Sequence, residues 1–171
     1  FLSSSDNGIW LESSGQNLLK NNKADSNRHY GFYLNASENN TLQNNCVFKD
    51  AIGIYMENSS GCRVIGSETS KNFYGIYLTG SGESLLENNT ANSNELYGIY
   101  LGNSNESTLE GNIANSNMWG IYLDSSFNVL KNNTMSGNDR NFGAYTYHYT
   151  GEMNNTIDTS NNVDGKSIYY L

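Results

Sequence analysis

Gly75-Ile76-Tyr77-Leu78 and Gly98-Ile99-Tyr100-Leu101 are two copies of a motif that recurs along the chain. The glycines that begin the copies, at positions 8, 31, 53, 75, 98, 120 and 143, are 22 or 23 residues apart. The copy at 143–146 is degenerate and has Ala and Thr at two of the apolar positions. A fixed period of this length indicates a repeat whose copies stack on one another.

The motif predicts a β-strand rather than a helix. Side chains on a strand alternate between two faces, so Ile76 and Leu78 would face inward and Tyr77 outward. A glycine in every copy would destabilise a helix. One repeat cannot bury its own apolar face, but a stack of repeats forms a continuous core. We therefore predict an all-β fold, a single-stranded right-handed parallel β-helix (β-solenoid) of about seven coils. One domain would span 1–171, with regular coils over 8–142 and an irregular closing coil with an insertion over 143–171.

Two asparagine-rich columns follow each glycine, at 13 or 14 residues and at 18 or 19 residues. Identical amides stacked at the strand spacing of ~4.8 Å form hydrogen-bonded ladders. Asparagine also tolerates the left-handed backbone of sharp corners. We predict that the columns are structural and have no chemical role. Their asparagines are Asn22, Asn45, Asn89, Asn112, Asn133, Asn27, Asn72, Asn94, Asn117 and Asn138.

The overall charge excludes several classes of partner. The chain has 9 Lys+Arg against 17 Asp+Glu, a formal net charge of -8. No basic stripe is present, which argues against nucleic acid. The longest apolar runs are far too short to cross a membrane, so no membrane insertion is expected. The first residue is Phe and no signal peptide is visible, so we predict a processed chain that is secreted or held at the cell surface.

The combination of G-I-Y-L, N-x-L-x-x-N and A-N-S-N resembles the parallel β-helix repeats of the NosD-like or CASH group. The resemblance extends from Gly8 to about Asn138, and 155–171 resembles the closing segment of such arrays in archaeal surface proteins. The asparagine-rich style is similar to methanogen surface-layer and sheath proteins. The resemblance implies the β-helix fold, in a group that includes sugar hydrolases, carbohydrate binders, copper-insertion proteins and structural proteins.

Residues for catalysis or metal binding are scattered. Glycoside hydrolysis needs two carboxylates close together, whereas the acids here are scattered and are predicted to lie in turns or in the irregular C-terminal part, as for Glu12, Glu57, Asp124 and Glu152. The two histidines, His29 and His148, are several repeats apart, and the methionines form no cluster. We predict no catalytic site, no metal site and no cofactor, and we predict that the chain is not an enzyme.

The outward position of the motif is aromatic in every copy, which predicts a stripe along one outer face. Three interpretations remain open: strand residues that only stack on each other, lateral packing against another protein layer, or contact with sugar rings. The aromatic residues that precede several glycines, such as Tyr74 and Tyr97, are predicted to face inward or fill a corner. The stripe consists of Trp10, Tyr33, Tyr55, Tyr77, Tyr100, Tyr122 and Tyr145.

Cys46 and Cys62 fall in adjacent repeats but at different points of the coil. A disulfide between them would need Cα atoms within about 7 Å. Either both are free or they crosslink neighbouring molecules, and an oxidising compartment favours an intermolecular disulfide.

The two ends of the repeat array suggest self-assembly. No cap is evident, and 168–171 has the pattern of a further motif strand, so a second copy can continue the sheets head-to-tail. The insertion with Tyr147, His148 and Tyr149 is a candidate for orienting that copy, and an excised fragment of a longer protein is the other interpretation. The strands at these ends contain Ile9, Trp10, Leu11, Ile168, Tyr169, Tyr170 and Leu171.

The sequence thus predicts an extracellular structural protein that self-assembles into a cell-surface layer, sheath or fibre. Its partner would be itself, as a homo-oligomer or filament. The alternative is a carbohydrate-binding β-helix module whose tyrosine stripe contacts a cell-surface glycan.

Overall fold

The computed structural model describes residues 2–145 and 154–169, which form β-strands and turns without a helix. Each regular coil passes through three sheets, and strands in successive coils pair in parallel. Ile76 pairs with Ile54 on one side and with Ile99 on the other, so equivalent residues lie directly over one another. The predicted parallel β-solenoid is confirmed.

Sheet I is built from the Gly-Ile-Tyr-Leu motifs and has seven strands in sequential order. β-Branched and aromatic residues favour these extended segments. The strands are Asn7–Glu12, Tyr30–Asn35, Ile52–Glu57, Tyr74–Thr79, Tyr97–Gly102, Trp119–Asp124 and Arg140–Ala144.

Sheet II also has seven strands, and in the first six of them one buried apolar residue lies between two outward-facing residues. These strands are Leu18–Lys20, Thr41–Gln43, Arg63–Ile65, Leu85–Glu87, Thr108–Glu110, Val129–Lys131 and Thr156–Ile157.

Sheet III is made of short strands that contribute small inward residues such as Ala91. Ile113 connects its two parts through isolated bridges to Thr90 and Thr134. The first part contains Leu2–Ser3, Lys23–Asp25, Cys46–Phe48, Glu68–Ser70 and Thr90–Asn92, and the second contains Thr134–Met135, Asn162–Val163 and Lys166–Ser167.

The core is a narrow column between the three sheets. Ile99 and Leu101 of sheet I, Leu109 of sheet II and Ala114 beside sheet III are all fully buried. Each large side chain removed from water contributes roughly 1.5–3 kcal/mol. Stacking is therefore essential, because a single coil would leave these residues open above and below.

The last strand of sheet I is out of register with the predicted motif. Phe142, rather than Ala144, pairs with Ile121, and Gly143 pairs with Tyr122. Tyr145 therefore does not continue the stripe, and that part of the prediction is wrong. The bulky apolar Phe142 takes the inward position that Ala144 would have left poorly filled.

The prediction of a further motif strand at 168–171 is wrong for Ile168 and Tyr169, the two of these residues that the structure describes. Asp164 and Gly165 both have positive φ, of 48° and 80°, and reverse the chain in a two-residue turn. Lys166–Ser167 then pairs antiparallel with Asn162–Val163. Ile168 packs against the core, whereas Tyr169 is 82% exposed.

Candidate functional site

The candidate site is a cluster of aromatic side chains on the outside of sheet I. Ten aromatic rings form two adjacent columns there, which we call the aromatic face. The outer column contains Trp10, Tyr33, Tyr55, Tyr77, Tyr100 and Tyr122, and the second column contains Tyr30, Tyr74, Tyr97 and Trp119.

The second column faces outward, and the prediction that it points inward or fills a corner is wrong. Gly98 and Ile99 are both buried, so two consecutive residues face the core and the strict alternation is interrupted. This bend leaves Tyr97 outside, with its ring 5.0 Å from that of Tyr100. The sequence signal for it was the glycine that begins every copy of the motif.

The bend explains why glycine is required at this position. A Cβ on Gly98 would lie 2.7 Å from Asn117 Nδ2, 2.8 Å from Gly120 O and 3.0 Å from Ala91 O. Two of these three atoms belong to the backbone and cannot move aside easily. The aromatic face therefore depends on a backbone path that only glycine allows.

Rings in the outer column stack along the solenoid axis. Tyr77 and Tyr100 have centroids 4.6 Å apart and planes within 9°, and Tyr100 and Tyr122 are 5.8 Å apart and within 4°. Between Tyr55 and Tyr77 the planes turn by 58°. Stacking occupies the ring faces, so the column leaves mainly ring edges and hydroxyls to solvent. Trp10, at one end, is 58% exposed.

Carboxylates border the outer column on one side. The Tyr33 hydroxyl donates a hydrogen bond of 2.6 Å to Glu57 Oε2. Trp10 Nε1 donates to Glu12 at 3.2 Å. Asp124 follows Tyr122 in the next outward position of its strand. Glu12 and Glu57 thus accept hydrogen bonds from the rings, and Asp124 lies at the equivalent position of a later coil.

Four tyrosine hydroxyls of the outer column have a raised pKa and remain protonated at neutral pH. Burial, followed by the Glu57 carboxylate, raises the pKa of Tyr33 and Tyr55 well above the ordinary value. Burial and the neighbouring tyrosines raise the pKa of Tyr77 and Tyr100, with a further contribution from Asp124. The face therefore combines phenolic donors with carboxylate acceptors.

An apolar column lies on the opposite side of the aromatic face. Phe73 is 44% exposed, Met118 is 41% exposed, and Leu96 between them is half-buried. The Phe73 ring meets the Tyr74 ring edge-on at 4.8 Å. The face is thus polar and acidic along one border and apolar along the other.

The asparagine columns hold the corners on either side of sheet III. Asn89 Nδ2 donates to Asn112 Oδ1 at 3.0 Å and to Val64 O at 2.8 Å. In the second column Asn94 Nδ2 donates to Asn117 Oδ1 at 3.2 Å. These bonds satisfy buried backbone groups that the turns leave unpaired. Asn22, Asn45 and Asn133 lie in the first column and Asn27, Asn72 and Asn138 in the second.

Asp50 replaces an asparagine in the second column. Its Oδ1 accepts from the Asn27 backbone N–H at 2.6 Å, while its Oδ2 is buried without a hydrogen-bond partner. Burial raises the pKa of Asp50 to about 6. The sequence marked this position as part of the column but did not show the isolation of its second oxygen.

The structure is inconsistent with an intermolecular disulfide that uses both cysteines. Cys62 is fully buried, and its Sγ accepts from Asn40 N–H at 3.4 Å and donates to Ser37 O at 3.3 Å. It acts as one rung of a third polar column that sequence reasoning missed. Cys46 is half-buried in sheet III, and burial raises the pKa of its thiol.

The residues predicted for head-to-tail assembly occupy different kinds of position. Ile9, Trp10 and Leu11 belong to the edge strand of sheet I, which pairs with Tyr30–Asn35. Ile168 follows the closing hairpin rather than extending sheet I. Tyr170 and Leu171, like the proposed orienting residues Tyr147, His148 and Tyr149, lie outside the described residues.

Two further observations concern the described ranges only. In residues 2–145 and 154–169, no three His, Cys, Asp or Glu side chains lie close enough together to hold a metal ion. The same part of the chain contains no helix with the length and apolar character of a membrane span.

Residues 7–163 match a family model described as the right-handed beta helix region. No curated protein matches the sequence. Among solved structures, the periplasmic alginate epimerase AlgG is similar, with a TM-score of 0.78 and 18% identity. The similarity covers 94% of this chain and 43% of the epimerase, so this chain spans less than half of that protein.

The similarity to AlgG corrects one prediction. An epimerase is an enzyme, and its fold is that of this chain. The prediction that the chain is not an enzyme is therefore wrong as an inference from repeats and scattered acids, because the same scaffold supports catalysis. At 18% identity the similarity establishes the fold and its right hand, and the site must be argued from its own residues.

Proposed function

This chain belongs to the right-handed β-helix family, and on that premise we propose that it is an extracellular protein that binds a glycan along its aromatic face. The glycan would lie parallel to the solenoid axis and contact successive coils.

One observation carries the proposal: ten rings, protonated phenol hydroxyls and carboxylate acceptors occur together on one sheet. A sugar has apolar C–H surfaces and many hydroxyls, and it needs both kinds of contact. Ring edges and Trp10 supply apolar contact, and Tyr33, Glu57 and Asp124 supply hydrogen bonds. The regular stacking of the coils repeats the ring contacts along a polymer, and the acids occur at intervals among them.

Binding to a glycan array tests the proposal. We expect the double substitution Tyr77→Ala and Tyr100→Ala to weaken binding by at least about tenfold, which corresponds to about 1.4 kcal/mol. The matched control is Leu85→Ala with Thr108→Ala, on the outer face of sheet II. Equal binding by the wild type and the tyrosine variant, or equal loss in the control, would refute a glycan site on this face.

A second candidate function is lateral assembly into a cell-surface layer or sheath of the archaeal type that the NosD-like pattern resembles. It is favoured by the exposed apolar column with Phe73 and Met118, which borders the rings. Such a column, next to aromatic residues, fits contact with another copy of this chain. The closing hairpin gives less support to stacking end to end.

Light scattering over a range of protein concentrations tests this second candidate. Assembly predicts a size that rises with concentration and falls after Phe73→Ser with Met118→Ser. A monomer at every concentration would remove it without affecting glycan binding.

A further inference from the structure

We infer that the ligand of the aromatic face is an uncharged glycan, and that the face excludes polyuronates such as alginate. The inference rests on the proposed glycan site and names its ligand class. It comes from the distribution of charge across sheet I rather than from the fold.

The seven strands of sheet I have an acidic outer face. Glu12, Glu57 and Asp124 lie in one outward position of three different strands. The single Lys or Arg in these strands is Arg140, at one end, and its guanidinium lies over the Trp119 ring at 4.9 Å. A polyuronate has one carboxylate on every sugar, so it would meet acids where it needs cations. The net charge of -8 adds to this repulsion at long range.

The same acids suit an uncharged sugar chain. A carboxylate accepts several hydrogen bonds, and bonds to a charged acceptor are the stronger kind. Glu57 already accepts from the Tyr33 hydroxyl at 2.6 Å through Oε2. This bond holds the Glu57 carboxylate beside the rings. Its remaining lone pairs are therefore in a fixed position to accept hydrogen bonds from a ligand. Sugar hydroxyls are donors, and a uronate carboxylate is not.

The contrast with the structurally similar protein is informative. The solved epimerase acts on alginate, which is a polyuronate. This chain has the fold of that enzyme, but the outer face of its sheet I has the charge that opposes such a substrate. A shared fold does not determine the ligand class, which depends on the residues of the face.

Calorimetry with two sets of soluble probes tests the inference. One set is uncharged (glucans, mannans, galactans and xylans), and the other is polyuronate (alginate and polygalacturonate) of similar length. We expect binding to at least one uncharged glycan and none to either polyuronate at low salt. The double substitution Glu57→Gln and Asp124→Asn should weaken that binding several-fold. Glu83→Gln with Glu87→Gln, outside sheet I, makes the same charge change and should leave it unaltered.

Each outcome separates the two claims. Wild-type binding to a polyuronate as tight as to any uncharged glycan overturns the ligand class and leaves the glycan site intact. Unchanged binding by a folded Glu57 and Asp124 variant overturns the acceptor role of these acids. Absence of binding to every probe removes the glycan site itself and the inference with it.

Discussion

Sheets I and II have the same number of strands and the same parallel stacking, but their outer faces differ. Sheet I presents ten aromatic rings in contact with one another, whereas no strand of sheet II contains an aromatic residue. The outward positions of sheet II hold a mixture such as Arg63, Leu85 and Thr108. Both inner faces are apolar and buried, with two buried positions per coil in sheet I, such as Ile99 and Leu101, and one in sheet II, such as Leu109.

The difference shows that the solenoid does not require the rings. Sheet II stacks through seven coils with Thr, Leu, Arg and Val at its outward positions. Aromatic residues do favour strands, but a structural preference alone would act on both sheets. The rings of sheet I are therefore better explained by contact with a ligand or partner.

A buried residue on the inner face of sheet I and one on the inner face of sheet II should contribute equally to the free energy of unfolding. We expect Ile99→Ala in sheet I and Leu109→Ala in sheet II each to lower the free energy of unfolding by about 4 kcal/mol, because both leave a cavity in a fully buried column. Chemical denaturation measures both values. A difference greater than about 2 kcal/mol between them would break the equivalence of the two sheets.

A substitution at Gly98, where the backbone bends behind the aromatic face, should have the next largest effect on stability. Gly98→Ala is expected to cost about 3 kcal/mol, because its Cβ would press on the backbone of two neighbouring coils. Gly102→Ala, in the same strand, is the control, since the three atoms nearest to a Cβ there all belong to the Tyr100 side chain rather than to the backbone. Thermal unfolding of both variants checks the prediction. Equal melting temperatures would mean that the close backbone approach is not required.

The polar corners beside the two sheets should respond differently to pH. Asp50, in the corner before sheet I, has a pKa raised to about 6 from 3.8. Between these values the folded chain binds more protons at Asp50 than the unfolded chain. The contribution of this carboxyl to the free energy of unfolding is therefore fully present below pH 3.8 and is lost as the pH rises through 6. We expect Asp50→Asn to stabilise the protein by roughly 2 kcal/mol at pH 8 and very little at pH 3.5.

Denaturation curves at several pH values measure this effect. Ser67→Asn, in the corner between sheets II and III, is a control that should show no such pH dependence. A stabilisation by Asp50→Asn that is the same at both pH values would exclude the buried carboxylate as its cause.

The smallest effect is expected for a single hydroxyl of the aromatic face. Tyr100→Phe keeps the stacked ring and should change the free energy of unfolding by less than about 0.5 kcal/mol. Removal of one donor should still weaken glycan binding a few-fold. A large loss of stability would show that the hydroxyl has a structural role.

Much of the fold was predictable because its signal repeats. The positions of Ile76, Leu86 and Asn89 in one coil define those of their equivalents in the next, and periodic burial follows. What could not be predicted depends on local geometry that a strict alternation conceals. Gly98 turns the chain so that Tyr97 faces out, and the turn at Asp164 and Gly165 reverses the last described segment.

The candidate site was predicted only in part. The outer tyrosine column followed from alternation, but its partner column and its acidic border did not. Glu57 was treated as an isolated acid in the sequence, whereas the structure places it against the Tyr33 hydroxyl of the preceding coil. Cys62 gave no sign of burial, because the polar column to which it belongs mixes Asn, Ser and Cys.

The most direct test replaces part of the aromatic face by the residue type that sheet II uses. In a variant with Tyr55→Thr, Tyr77→Thr and Tyr100→Thr, we predict cooperative thermal unfolding and the β-rich circular dichroism of the wild type, with glycan affinity reduced by at least about tenfold. Glycan binding equal to that of the wild type, or a variant that does not fold, would contradict the account, since the rings would then be either unused or required by the solenoid.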